Sequence, residues 1–155
     1  MPARAESLVA TARRPDDQRR NAELYPVRYV SRLRFSDVDV LGHLNNVAQS
    51  ALHEDARTTL CEQLFPAAER PAGSRLVIGQ NSLHFLNEAF YPGDLLICAG
   101  VGRVGRRSFV CSTALFSADT CVSIADSVMV MERHRRPVEL DQEERAAFAG
   151  HWLGE

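Results

Sequence analysis

Residues 36–46 read Ser-Asp-Val-Asp-Val-Leu-Gly-His-Leu-Asn-Asn and bring Asp37, Asp39, His43, Asn45 and Asn46 into one short stretch. A strand pattern precedes this stretch and a helix pattern follows it. The first N–H groups of a helix have no partner inside the helix, and they sit at the positive end of its dipole. A carboxylate beside such N–H groups supplies the minimum parts for attack on an acyl carbonyl. The acid serves as nucleophile or as base toward water, and the N–H holds the oxyanion. Asp39 alone would pass for an ordinary turn residue. With Gly42, His43 and Asn45 at this spacing, the functional reading is the better one. Asp37 reads as the structural acid, because loop carboxylates commonly accept backbone hydrogen bonds. Asn45 reads as a helix N-cap. His43 either polarises or orients the reacting groups, or braces the loop.

The elements that position these residues follow from periodicity. Val27, Tyr29, Ser31, Leu33 and Phe35 alternate with Arg28, Val30, Arg32 and Arg34, which predicts a strand with one apolar and one mostly basic face. Ala48, Leu52, Ala56, Leu60 and Leu64 recur every four residues, joined by Val47 and Ala51. They predict one long helix that starts at Asn45 and is stopped by Pro66. Residues 67–74 read as a loop. Strand patterns follow over residues 75–90, 95–104, 107–117 and 121–132, separated by turn signals such as Tyr91-Pro-Gly-Asp. Short turns predict antiparallel neighbours. Runs such as Leu95-Leu96-Ile97-Cys98-Ala99 are apolar on both faces. The helix covers one face, and another subunit is expected on the other face or at the sheet edge. Residues 1–23 read as a flexible tail, 24–137 as the domain, and 138–155 as a tail or short helix.

Composition narrows the class. The chain has 155 residues, 45% hydrophobic and 25% charged, with a formal net charge of −2. That is one soluble domain with no charge bias toward nucleic acid. No apolar run reaches the roughly 18 residues of a membrane-spanning helix. The first residues have no apolar core of a secretory signal. Cys61, Cys98, Cys111 and Cys121 lack Cys-x-x-Cys spacing, and read as reduced, buried and cytoplasmic.

The element order, with Asp37-x-Asp39-x-x-Gly42-His43-x-Asn45-Asn46 and Glu54-Asp55-Ala56-Arg57, resembles the 4-hydroxybenzoyl-CoA thioesterase type of acyl-CoA thioesterase. Further echoes are Gly105-Arg106-Arg107-Ser108 at a hairpin and Arg135-Arg136-Pro137 after the last strand. The resemblance covers residues 26–136 and implies the α+β hot-dog fold. In that fold a curved antiparallel sheet of about five strands wraps one long central helix. The resemblance also implies that Asp39 is the catalytic carboxylate and that the backbone N–H near Asn46 is the oxyanion donor. Plant acyl-ACP thioesterases carry a similar loop, with an Asn two residues after the acid and a His two further on. Here His43 stands in place, but Leu41 occupies the Asn position. The role of His43 therefore stays open.

The resemblance implies hydrolysis of an acyl-CoA, with CoA as part of the substrate and no separate cofactor. Gly42 and Asn45 are expected to touch substrate, and the acyl chain to lie along the helix near Gln49, Leu52 and His53. From Asn45 to Glu54 is roughly 13 Å of helix, too far for Glu54 or Asp55 to share the Asp39 centre. An ion pair with Arg57 is their expected role. Arg106, Arg107 and Arg135 are either solvated charge or partners for CoA phosphates. Asp37, Asp39, His43 and His53 have metal-ligating types but no ligand spacing, so no metal is expected. The expected partners are acyl-CoA and a second copy of the chain, as a dimer or dimer of dimers, with no nucleic acid or membrane. The rival functions are an acyl-carrier-protein thioesterase and a non-catalytic acyl-CoA-binding protein on the same fold. A hot-dog dehydratase is a further rival, but its Asp-x-Asn-Pro-x-His motif is absent.

Overall fold

The computed structural model describes residues 14–155. The alternating segment forms β1, Val27–Arg32, and the helical stripe forms α1, Asn46–Leu64. Asn45 caps α1 as the sequence predicts, its side chain accepting the Val47 N–H, and the helix ends just before Pro66. The remaining strands are β2 (Ser74–Phe85), β3 (Asp94–Val104), β4 (Ser108–Ser117) and β5 (Thr120–Arg133), followed by a short β6 (Arg136–Pro137). All pair antiparallel in one sheet of order β1-β3-β4-β5-β2, with β6 on β5. One long helix packed on a curled antiparallel sheet is the hot-dog arrangement.

The predicted succession of neighbouring strands needs one correction. β3, β4 and β5 are joined by hairpins, but β2 lies at the opposite edge region from β3. The predicted strand over 75–90 ends at Phe85 because Leu86 and Asn87 both donate their N–H to the Val122 carbonyl. Residues 86–93 then cross the end of the sheet instead of turning back. Ala89 accepts the Leu44 N–H at 2.8 Å and Gly93 accepts the Leu33 N–H at 2.9 Å, so this crossing runs beside the acidic loop.

The buried face of α1 also differs from the predicted stripe. Its buried residues are Gln49, His53, Ala56, Leu60, Cys61 and Leu64. Ala48 and Leu52 are only half-buried, and Val47 is 77% exposed. The first half of the helix is thus rotated toward polar side chains. Across the interface the buried Thr113 and Ser123 present hydroxyls that need partners, and His53 supplies them. At the other end of α1 an aromatic cluster closes the core. Phe65, Phe109 and Phe148 pack with ring centroids 5.2 to 5.8 Å apart. Phe148 is delivered there by α2, Gln142–Ala146, whose start is fixed by a reciprocal Asp141–Glu144 capping box.

The second face of the sheet, where another subunit was expected, is covered in part by the chain itself. Tyr25 packs with Cys98, Ala114, Phe116, Cys121 and Ile124, joined by Ala22, Leu24 and Leu153. Residues 17–24, all but Leu24 within the stretch read as a flexible tail, form two 3-10 turns that lie on this face. Arg19 fastens them. Its Nε donates to the Tyr25 hydroxyl at 2.9 Å, and its guanidinium pairs with Asp126 at 3.1 Å. Residues 1–13 of that tail lie outside the described residues. The C-terminal end joins the same strap, since the Val101 N–H donates to the His151 carbonyl, the Leu153 N–H donates to the Val101 carbonyl and Gly154 donates to Leu24. Gly100 lets it approach. A Cβ there would meet Leu153 at 2.8 Å and Pro26 at 2.9 Å.

Phe109 is 1% exposed at the centre of the aromatic cluster. Phe109→Ala should lower unfolding free energy by about 3–5 kcal/mol, read by urea titration as a shifted midpoint with an unchanged slope.

Candidate active site

The acidic loop is a tight turn. Val38 and Leu44 form an antiparallel bridge, and within it the Asp39 N–H donates to the His43 carbonyl at 3.0 Å. The Gly42 N–H donates to the Asp39 carbonyl, also at 3.0 Å. Gly42 has φ +84°, with nothing within 4 Å of where a Cβ would stand. The demand for glycine is therefore conformational, not spatial. Asp39 sits half-buried at the turn, one carboxylate oxygen accepting the Leu41 N–H at 2.9 Å. Among the described residues its other oxygen has no hydrogen bond.

Asp37 anchors the base of the turn. It is 5% exposed and accepts the Arg34 backbone N–H at 2.8 Å and the Arg34 guanidinium at 2.8 Å. The guanidinium hydrogen bond holds its carboxyl below the usual carboxylate range, against the opposing effect of burial. Its carbonyl accepts the Asn45 N–H at 2.8 Å. Asn45 in turn caps Val47 at 2.7 Å. These bonds fix the entry into α1 and leave the exposed Asn46 with a backbone N–H that donates to nothing among the described residues. The turn therefore carries a half-buried carboxylate at Asp39 and leads, seven residues on, into a helix start whose Asn46 N–H has no partner among the described residues.

The crossing segment supplies neighbours that the sequence reading missed. His43 Nδ1 lies 3.3 Å from Glu88 Oε1, and its ring meets Phe90 edge-on at 5.6 Å. His43 and Phe90 also form a backbone bridge. The imidazole is thus held by the crossing segment, which fits the bracing role. The available signal was the polar break Asn87-Glu88 inside an otherwise strand-like run. Large apolar side chains stand exposed around the turn: Phe35 at 80%, Val40 at 102%, Leu41 at 71%, Val47 at 77% and Phe90 at 56%.

Other candidates are scattered. Leu52 is half-buried beside the core, and Gln49 is 4% exposed with its Nε2 donating to the Leu44 carbonyl at 3.3 Å. His53, expected along the acyl chain, instead belongs to the helix–sheet core. It is 2% exposed and both ring nitrogens are occupied, by Thr113 at 2.7 Å and Ser123 at 2.9 Å. No ring nitrogen is left for a ligand. Glu54 pairs with Arg57 at 3.4 Å as read from the sequence, whereas Asp55 accepts from the Tyr29 hydroxyl at 2.5 Å. Arg106 pairs with Glu139. Arg107 and Arg135 are exposed, and Arg135 sits in a left-handed turn at φ 64°.

These arginines lie at the opposite end of the sheet from the Asp39 turn. The acidic loop adjoins Gly93, where β3 begins, and Arg106 follows Val104, where β3 ends. Ten residues of strand separate them, roughly 33 Å. Arg135 is at that same far end, because Ser108 pairs with Val130.

Among the described residues, no group of three or more His, Cys, Asp and Glu side chains is arranged to hold a metal ion. Among the described residues, no helix is long and apolar enough to cross a membrane. The cysteines Cys61, Cys98, Cys111 and Cys121 are free and buried.

Comparison with known proteins adds an independent line. A family profile described as the thioesterase-like superfamily matches residues 33–148. No curated protein matches the chain. Solved structures do. A protein of Pseudomonas aeruginosa is 25% identical, with a TM-score of 0.72 over 85% of this chain and 95% of its own. A thioesterase from Thermus thermophilus, solved with coenzyme A and zinc, is 22% identical, with a TM-score of 0.72 over 81% of this chain and 98% of its own. A 1,4-dihydroxy-2-naphthoyl-CoA thioesterase from Synechocystis is 16% identical, with a TM-score of 0.67 over 78% and 93%.

The environment of His53 sets a pH dependence. Burial, then the charges of Arg57 and Arg19, with Asp126 opposing, pull its pKa down to about 3. The unfolded chain, with an ordinary histidine near 6.5, therefore takes up this proton first. Stability should fall as pH drops from about 6.5 toward 3, by about 1.4 kcal/mol per pH unit for one proton. Asp37, with its pKa lowered, acts in the same direction but only below about 4. Urea titrations between pH 7 and 4 should show this slope, and His53→Gln should flatten it.

Proposed function

The chain belongs to the thioesterase-like superfamily and is a thioester hydrolase; on that premise we propose that it cleaves acyl-CoA with Asp39 as the reacting carboxylate. The observation that supports this reading is a half-buried Asp39 carboxylate, one oxygen of which has no hydrogen bond among the described residues, on a turn that leads into the partnerless Asn46 N–H. The thioester carbonyl would rest at the start of α1, its oxygen toward the Asn46 N–H and the positive end of the helix. Asp39 would attack the carbonyl carbon, or take a proton from a water that does so. The thiol leaves readily, so no strong general acid is required. His43, held by Glu88 and Phe90, braces the turn, and Gly42 and Asn45 shape the approach. The neighbouring structures solved with coenzyme A or named for an aryl-CoA substrate support an acyl-CoA substrate, whose acyl group would pass Gln49 and Leu52.

The assembly in this reading is a dimer or a dimer of dimers. β2 is an edge strand, and exposed apolar residues ring the site. Two β2 edges pairing antiparallel about a two-fold axis would reverse one subunit against the other. That reversal would bring the far end of the second copy, with Arg106, Arg107 and Arg135, toward the Asp39 turn. CoA phosphates could then be held by arginines from one copy while the thioester reacts in the other.

Asp39→Asn should keep the fold and assembly and lower acyl-CoA hydrolysis by roughly two orders of magnitude or more, in an assay that detects free thiol. Wild-type rates on every substrate would remove Asp39 from the reaction. Glu54→Gln should leave turnover nearly intact. A dimer mixed from Asp39→Asn and Arg135→Ala chains tests the shared site. It should keep half the sites at an unchanged KM if the arginine acts across subunits. A raised KM in the surviving sites would place the arginine in the same subunit as its Asp39.

A further inference from the structure

The buried face of α1 changes character along its length. In the half that carries Asn46 the buried side chains are Gln49 and His53; in the other half they are Ala56, Leu60, Cys61 and Leu64. Apolar packing is non-directional and tolerates small sliding, whereas hydrogen bonds fix distance and angle. The half of the helix with the proposed oxyanion donor is therefore held by directional contacts in addition to the partly buried Ala48 and Leu52. His53 makes the central ones, bridging Thr113 on β4 at 2.7 Å and Ser123 on β5 at 2.9 Å.

We infer that His53 is a positioning residue: it pins the first half of α1 to β4 and β5, and so keeps the Asn46 N–H in register with the Asp39 turn. This rests on the thioesterase reading above. One tautomer satisfies every group in the bridge. The Thr113 hydroxyl lies 3.4 Å from the Ala125 carbonyl and can donate there. It then accepts from Nδ1–H, and Nε2 accepts from the Ser123 hydroxyl. Seven residues of helix separate His53 from Asn46, about 10 Å, so a displacement at the bridge is carried rigidly to the donor. Gln49 adds a tie between the same half and the Leu44 carbonyl. In the second half the corresponding polar tie is one Arg57–Ser127 bond at 3.3 Å.

The test separates position from stability. His53→Leu alone would strand two buried hydroxyls and destabilise the fold. Combining His53→Leu with Thr113→Val and Ser123→Ala removes all the bonding groups together and leaves none unpartnered. This triple variant should melt near the wild-type temperature, yet its kcat should fall by about tenfold or more with KM within about twofold, the signature of an interaction realised in the transition state. His53→Gln, which keeps a donor and an acceptor, should recover most of the lost kcat. A triple variant with wild-type kcat would reduce His53 to a space-filling core residue. Should the triple variant not fold, Thr113→Val alone decides: a several-fold loss of kcat at constant KM supports the pin, and an unchanged kcat overturns it. Asp39→Asn runs alongside. If it keeps full activity, the thioesterase site itself is misassigned; if it is inactive while the triple variant is not, only the positioning role fails.

Discussion

One helix serves as the core of this domain and, in the proposed reaction, as the carrier of its reacting end. α1 has 19 residues and is the only long helix among the described residues, so the curl of the sheet, the crossing of residues 86–93 and the docking of Phe148 all serve to enclose it. The arrangement couples stability to chemistry. A helix end buried among apolar groups would waste its free N–H groups, whereas an end left at the rim keeps them usable. Asp37 reconciles the two demands. Its carboxylate holds Arg34 and its carbonyl holds Asn45, so the chain enters the helix in one fixed direction while Asn46 stays at the surface.

The interface between α1 and the sheet is a mixed one for the same reason. Buried hydroxyls and an imidazole cost desolvation energy unless each finds a partner. Here Thr113, Ser123 and His53 satisfy one another, and Ser127 is satisfied by Asn81 and Arg57. The Oε1 of Gln49 remains buried without a partner. An all-apolar interface would hold the helix as firmly, but with less control over where along the sheet its first turn comes to rest.

Much of this was legible in the sequence. Apolar patterns located α1 and β3 to β5 to within about two residues and fixed the start of β1, whose alternation reads on to Phe35 although the strand ends at Arg32. The N-cap at Asn45 and the glycine at position 42 were readable because each is a local conformational demand. What escaped depended on contacts between segments distant in the chain. His53 takes a place on the buried face where hydroxyls sixty or more residues away meet both its ring nitrogens. The strap of residues 17–24 looked like solvated tail, since its anchor Arg19 finds its partner at Asp126. Likewise, the separation between Asp39 and Arg106 is a property of strand direction, which no local motif encodes.

The placement of the thiols has a practical side. Cys61 and Cys111 lie between α1 and the sheet, while Cys98 and Cys121 lie under the strap on the other face. Burial pushes the thiol pKa of Cys61 and Cys121 up to about 11 and that of Cys98 up to about 12. In the folded protein all are therefore poor nucleophiles as well as hidden ones. An alkylating reagent would reach them only through local opening. The chain thus carries two internal clocks: modification of one pair times the lifting of the helix, and modification of the other times the release of the strap.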